Sequence, residues 1–364
     1  MKSQKVYIGK DSLCSLGKVL SELMPQKVLL VHGKKSYAQC GAKEKIHNLM
    51  ANFKAVKVME FSEFCVNPDY NDLQKALLLC EEIAPDVIIG IGGGSALDIA
   101  KLLRFFYSYD GSVEDGVYKQ IKNLIPLIAI PTTSGTGAEA THFAVVYKDK
   151  VKYSVDHDDV LPDIAVIYPP FTYENPPYLT ACTGFDALAQ GIEAFWNKNA
   201  TDESDAFAKK AVELIYPNLP LAVNSPTEDV RDKISEGAYW AGKAINITKT
   251  TAPHAFSYPF TSYYGYPHGH AVALTFATIA KYNMTILCHT KRVWISKLIS
   301  NCDDKESISE ILRKYIVSLG LTLVDNEYNI DLILSNINVN RLLNNPFHIS
   351  STEATEIIRD VLEN

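Results

Sequence analysis

In the first half of the chain, short runs of consecutive apolar residues alternate with longer stretches of helical spacing. The runs lie at residues 27–31, 86–91, 127–130 and 164–167 and are rich in valine, isoleucine and leucine. Such runs, with helices between them, predict strands buried on both faces of a parallel sheet. Beyond about residue 178 the pattern changes. Across 183–196, 205–216, 230–245, 308–315 and 353–362 the apolar residues recur every three and four positions, as on one face of a helix. The pattern therefore predicts an α/β, Rossmann-like parallel-sheet domain over residues 1–178 and an all-helical domain over 179–364. Pro169, Pro170, Pro176 and Pro177 make 168–177 the natural hinge, because proline interrupts regular elements. No internal repeat or low-complexity tract is present.

Composition narrows the class. At 364 residues the chain is long for one hydrophobic core, which fits two domains sharing a cleft. It is 47% hydrophobic and 21% charged, the profile of an ordinary globular protein. A net charge of −7 argues against a nucleic-acid partner, which needs a basic surface. No apolar run approaches the roughly 18 to 20 residues that span a bilayer, and Met1-Lys2-Ser3-Gln4-Lys5 leads into no signal-peptide core. A cytoplasmic protein without a membrane partner is expected. The seven cysteines, at 14, 40, 65, 80, 182, 288 and 302, include no C-x-x-C pair. They are expected to be reduced thiols, mostly filling the core.

Two clusters of small residues carry the first chemical signal. Gly90-Ile91-Gly92-Gly93-Gly94-Ser95 joins a strong strand to the helical stretch 96–102. Consecutive glycines let a pyrophosphate reach backbone N–H groups, and the helix N-terminus favours the anion. The spacing is not the usual G-x-G-x-x-G, and a plain strand-to-helix turn is the alternative. Pro131-Thr132-Thr133-Ser134-Gly135-Thr136-Gly137-Ala138-Glu139 follows the run ending at Ile130 and holds too many small hydroxyl residues for a core. Two such loops at the C-terminal ends of neighbouring strands suit one extended ligand, such as a dinucleotide.

The helical half offers metal ligands. Asp186 and Gln190 stand four apart, on one helix face. His254, His268 and His270 follow. A carboxylate with two or three imidazoles is a common set for Zn²⁺ or Fe²⁺, although each histidine taken singly is more readily read as structural.

Together these blocks resemble the iron-containing (group III) alcohol dehydrogenase family over essentially the full chain. The matching residues are Gly92-Gly93-Gly94-Ser95 with Asp98 and Lys101; Pro131-Thr132-Thr133 with Gly135, Thr136, Gly137 and Glu139; Thr183-Gly184 with Asp186-Ala187-Leu188; His254; Pro267-His268-Gly269; and Asn345-Pro346. The resemblance implies the fold shared with dehydroquinate synthase-like enzymes, a nicotinamide cofactor and a divalent metal, Fe²⁺ first and Zn²⁺ second. It implies that Gly92, Gly93, Gly94 and Ser95 cradle the pyrophosphate and that Asp98 lies on the nicotinamide side. Thr132, Thr133 and Thr136 would line the cofactor groove, with Asn67, Lys152 and Leu179 at further contacts. Asp186, His254 and His268 would be metal ligands. A homodimer or higher homo-oligomer is expected.

Three departures bear on the chemistry. The second family ligand, a histidine four after the aspartate, is Gln190 here. The histidine often found four after the ligand His254 is Tyr258, so the proton route differs. Lys249 occupies a stretch that is often small or neutral in relatives, and a cation there suits an anionic substrate; a solvated lysine is the other reading. The run 249–259 with 267–271 is most similar to the phosphonoacetaldehyde reductase branch, which implies reduction of phosphonoacetaldehyde to 2-hydroxyethylphosphonate. NAD-selective relatives often carry an acidic residue near Gly33. Here Gly33 is followed by Lys34, Lys35 and Ser36, which suits a 2′-phosphate and hence NADP(H), with a solvated basic loop as the alternative.

The expected activity is thus a metal-dependent, NAD(P)H-linked alcohol dehydrogenase reducing an aldehyde. The proton would arrive through bound water, the cofactor ribose, Tyr258 or His270. The alternatives are a general short-chain alcohol dehydrogenase of the same family, a dehydroquinate synthase-like lyase that recycles NAD, and a catalytically idle nucleotide-binding protein.

Overall fold

The computed structural model describes residues 3–149, 151–299 and 305–363, with the backbone alone for 305–307. Two compact units divide the chain, Met1–Asn175 and Pro176–Asn364. The division falls before the expected one at 178 because the first helix of the second unit already begins at Pro177. Proline is tolerated in a first helical turn, where its missing N–H would have no partner anyway.

The first unit is built from β1 (Lys5–Ile8), α1 (Ser12–Leu23), β2 (Lys27–His32), α2 (Ser36–Gln39), α3 (Ala42–Met50), β3 (Lys57–Phe61), α4 (Tyr70–Ile83), β4 (Val87–Gly92) and α5 (Gly94–Ser108). There follow β5 (Tyr109–Gly111), β6 (Tyr118–Gln120), β7 (Leu127–Pro131), β8 (Phe143–Lys148), β9 (Val151–Asp156) and β10 (Ile164–Ile167). Six strands form one parallel sheet in the order β1-β10-β7-β4-β2-β3. The four expected strands are its interior. The two edges, β1 and β3, mix exposed and half-buried positions and so lack the continuous apolar run. Both faces of the interior are buried: Leu29, Val31 and Ile88 pack into one cluster, and Val28, Leu30, Ile89 and Ile91 into another.

From β2 the chain moves outward to β3, returns to β4 and then continues through β7 to β10. The order reverses between β2 and β4, and ligands of open α/β sheets bind outside the strand ends at such a switch point. Gly33 directly follows β2 and Gly92 ends β4.

The second unit contains α6 (Pro177–Trp196), α7 (Asp202–Ile215), α8 (Leu219–Asn224), α9 (Glu228–Thr248), α10 (Ala252–Tyr264), α11 (His268–Met284), α12 (His289–Ile299), α13 (Lys305–Ser318), α14 (Ile330–Ser335), α15 (Val339–Leu342) and α16 (Ser351–Glu363). Thr201 and Ser204 form a capping box that starts α7, and the Thr227 hydroxyl accepts from Val230 N to start α9. Helices α6 and α11 are buried on nearly every side, as central helices of a bundle must be. Among the described residues no helix is long and apolar enough to cross a membrane.

The cysteines correct one expectation. Cys302 lies outside the described residues, and the other six are free thiols, but only Cys80 and Cys182 are buried. Cys40 is half-buried against the core, while Cys14, Cys65 and Cys288 are exposed, so half of the described thiols stand outside it.

Candidate functional site

In the first unit the two glycine and threonine loops meet. Thr132 N donates to Gly92 O at 3.0 Å, joining the ends of β7 and β4. A Cβ on Gly94 would sit 2.8 Å from Thr136 Cγ2, so only glycine lets the two loops lie this close. A Cβ on Gly93 would sit 3.3 Å from Thr133 Oγ1, so Thr133 borders the same turn. Asn67 N donates to Ser95 Oγ at 3.2 Å, which brings the Asn67 turn to the same place. A Cβ on Gly92 would lie 3.7 Å from Gly33 N, so Gly33 borders this turn. Gly33, Asn67, Gly92, Gly93, Gly94, Ser95, Thr132, Thr133 and Thr136 therefore converge on the strand ends flanking the switch point. Leu179 belongs to the other unit, on the first turn of α6.

Charges anchor this surface from beneath. The fully buried Lys101 donates to Ala138 O at 2.9 Å, Thr141 Oγ1 at 3.0 Å and Phe143 O at 2.6 Å, pinning the end of the threonine loop. Asp98 accepts from Val145 N at 3.2 Å and stands 4.0 Å from Lys101 Nζ. Burial pushes the Asp98 carboxyl up to about 6, against the pull of Lys101 and Lys152, so Lys152 lies within electrostatic reach of it. Glu139 is buried too and is pushed up to about 7.

In the second unit α6, α10 and α11 bring together Asp186, His254 and His268. One donor atom from each lies within 4.8 Å of the others. His254 Nε2 is 3.1 Å from Asp186 Oδ1, and His268 Nε2 is 4.0 Å from the same oxygen. The helices can approach because position 269 is glycine: a Cβ there would sit 1.9 Å from Cys182 O, inside the backbone of α6.

Each imidazole is oriented from behind. Ser257 Oγ donates to His254 O at 2.8 Å, leaving its oxygen to accept from His268 Nδ1 at 3.4 Å. His254 Nδ1 faces Glu193 Oε1 in a short hydrogen bond. Both rings thus turn their Nε2 atoms towards Asp186. Burial alone would raise Asp186, yet the His254 hydrogen bond and nearby His268 hold it below the usual carboxylate range. Burial pulls His254 down, but Glu193 and Asp186 overcome it and raise the imidazole to about 9. A proton between carboxylates is what a divalent ion would displace.

Gln190 follows Asp186 by one turn, and its amide also helps to hold the Asp186 carboxylate. Its Oε1 is buried without a hydrogen-bond partner. An orphaned buried carbonyl oxygen costs free energy unless a hydrogen-bond donor or a cation meets it. The donor set therefore fits a divalent metal held by one carboxylate, two imidazoles and an amide oxygen.

Glu193 was not anticipated from sequence. It is fully buried, seven residues after Asp186 on the same helix. The signal was there: 186, 190 and 193 follow the i, i+4, i+7 spacing of one face on a largely apolar helix. His270 corrects a proton-route expectation. Its Nε2 donates to Thr322 O at 2.9 Å and its Nδ1 accepts from Tyr178 Oη at 2.9 Å, so both nitrogens are engaged. Tyr258 stands one turn beyond His254 on α10, half-buried. Lys249 caps the end of α9, and the adjoining carbonyls of Thr248 and Lys249 accept from Asn197 Nδ2.

Comparison with known proteins agrees with this geometry. A family model described as iron-containing alcohol dehydrogenase matches residues 3–169, and one described as Fe-containing alcohol dehydrogenase family, C-terminal, matches residues 180–341. The chain belongs to the iron-containing alcohol dehydrogenase family. The structure of a sulfoacetaldehyde reductase from Bifidobacterium kashiwanohense, in complex with NAD⁺, is 28% identical with a TM-score of 0.89. It covers 99% of this chain and 97% of that one. A NADPH-dependent butanol dehydrogenase of Clostridium saccharobutylicum is 30% identical over 286 residues, 76% of this chain and 72% of that protein. Long-chain-alcohol dehydrogenase 1 of Geobacillus thermodenitrificans is 36% identical over 228 residues, 61% of this chain. The match spans 58% of that relative, less than two thirds of its length.

Proposed function

We propose that this family member is a metal-dependent, NAD(P)H-linked alcohol dehydrogenase that works as an aldehyde reductase. The observation that carries the reading is the convergence of Asp186, His254 and His268, with the orphaned Gln190 oxygen on the same helix as Asp186. When bound there, a divalent metal supplies Lewis acidity, polarising a carbonyl and stabilising alkoxide charge. Asp186, His254 and His268 hold the ion, with Gln190 as a weak neutral ligand. The loops at Gly92–Ser95 and Thr132–Thr136 bind the cofactor phosphates and fix the nicotinamide, whose hydride the reaction uses. Tyr258, one turn from a metal ligand, is the side-chain candidate to deliver the proton. The test is steady-state oxidation of NADPH and NADH against a panel of aldehydes with Fe²⁺ present. Sustained, aldehyde-dependent consumption supports a reductase, whereas conversion without net consumption would favour a lyase that recycles its cofactor.

For the substrate we propose a small aldehyde carrying an anionic group, phosphonoacetaldehyde foremost. Two features support it: Lys249, five residues before His254, and the sulfoacetaldehyde reductase relative, whose named substrate is a two-carbon aldehyde with a sulfonate. An anion buried without a cation would be prohibitively costly, so a substrate of this kind needs such a lysine.

NADP(H) is the proposed cofactor. Gly33 offers no carboxylate to repel a 2′-phosphate, and exposed Lys34, Lys35 and Ser36 follow it. A Cβ on Gly33 would sit 2.3 Å from Ser36 Oγ, so an acidic side chain there displaces that hydroxyl as well as adding charge. Gly33→Asp should therefore reduce kcat/KM for NADPH by about tenfold or more, from losing one charge-assisted contact, and spare NADH. Initial rates with both cofactors check this, and a wild-type preference for NADH would contradict it.

A further inference from the structure

The carboxylate of Glu193 lies at the end of a one-way chain of hydrogen bonds. Trp196 Nε1 donates to Thr251 Oγ1 at 3.0 Å. That hydroxyl, its proton free to point onward, donates to Glu193 Oε2 at 2.7 Å. Thr251 N donates to the same oxygen at 2.6 Å. The other oxygen, Oε1, meets His254 Nδ1. With Oε2 saturated by two donors and no proton of its own to give, an ionised carboxylate accepts from Nδ1–H and can do nothing else. His254 then carries a hydrogen on Nδ1, so Nε2, the nitrogen facing Asp186, is the one left to bind a metal.

We propose that Glu193 is the positioning residue for the metal ligand His254, fixing both its tautomer and its ring orientation. The inference rests on the metal reading of Asp186, His254 and His268. It also ties the metal ligand to the loop before α10, because the same carboxylate that orients His254 holds Thr251. One buried group thus holds Thr251 and the imidazole together.

Glu193→Gln keeps the shape and removes this logic. If the amide oxygen accepts from His254, the amide NH₂ faces the Thr251 N–H, donor against donor. If it is turned round, the NH₂ donates to Nδ1 and forces the hydrogen onto Nε2, where no metal can bind. Removing such an outer partner typically weakens metal affinity 10- to 100-fold. Co²⁺ titration of metal-free protein against a chromophoric chelator should therefore show Glu193→Gln binding about 10- to 100-fold more weakly than wild type. Equal affinity would overturn the role of Glu193 while leaving the metal site intact. No Co²⁺ binding by wild type would overturn the metal reading itself, and this inference with it. A measurement on wild type alone guards against a variant that does not fold. In the Zn²⁺-loaded, ¹⁵N-histidine-labelled protein, His254 should show a protonated Nδ1 and a metallated Nε2. A hydrogen on Nε2, or none on Nδ1, would overturn the proposal.

Discussion

His268→Ala should abolish metal retention and lower aldehyde turnover by about a thousandfold or more, several kcal/mol of lost transition-state stabilisation. The fold should survive. The His268 side chain is about one third exposed, at 34%, and opens α11, so its removal leaves no sealed cavity. Asp186 and His254 are buried and joined to each other, so removing either confounds loss of metal with loss of stability. Metal content after desalting and the melting temperature of metal-free protein separate the two effects. A His268→Ala protein that keeps its ion and its turnover would remove His268 from the ligand set.

Lys249 should decide between anionic and neutral aldehydes. Its backbone lies at φ 64°, ψ −176°, a region that glycine alone occupies easily and that costs other residues about 1–3 kcal/mol. The chain keeps a long cationic side chain where glycine would relieve strain, the pattern expected when the side chain serves function. Lys249→Gly should therefore be more stable than Lys249→Ala by about 1 kcal/mol. Both should lose about 2 kcal/mol, roughly thirtyfold in kcat/KM, for an anionic aldehyde and little for propanal. Thermal melts and a two-substrate comparison give the answer. Equal losses for both substrates would make Lys249 structural, and a wild-type preference for propanal would end the anionic-substrate reading.

Much of this arrangement was legible in the sequence because it rests on local signals. The interior strands β2, β4, β7 and β10 are continuous apolar runs, and the glycine and threonine loops sit at their ends, where chain geometry alone places ligands. The edge strands β1 and β3 were invisible, since half-exposed residues pair there only because a neighbouring strand offers hydrogen bonds. Helices α10 and α11 carried no stripe to read, as partners on several sides bury residues all round them. The same cause hid Glu193. A buried carboxylate makes sense only once His254 and Thr251, from another helix and its loop, are seen to use it. Gln190 shows the converse. From sequence it reads as a weakened ligand; in the fold its oxygen is a buried acceptor with no partner, on the helix face that carries Asp186.

Metal dependence of turnover tests the central claim most directly. The purified chain, stripped with a chelator and desalted, would be assayed for NADPH oxidation with phosphonoacetaldehyde and with propanal, before and after adding Fe²⁺ or Zn²⁺. The account predicts that stripped protein is inactive and that activity returns in proportion to metal bound, reaching its limit near one ion per chain. Full turnover in protein shown to contain no metal would contradict it.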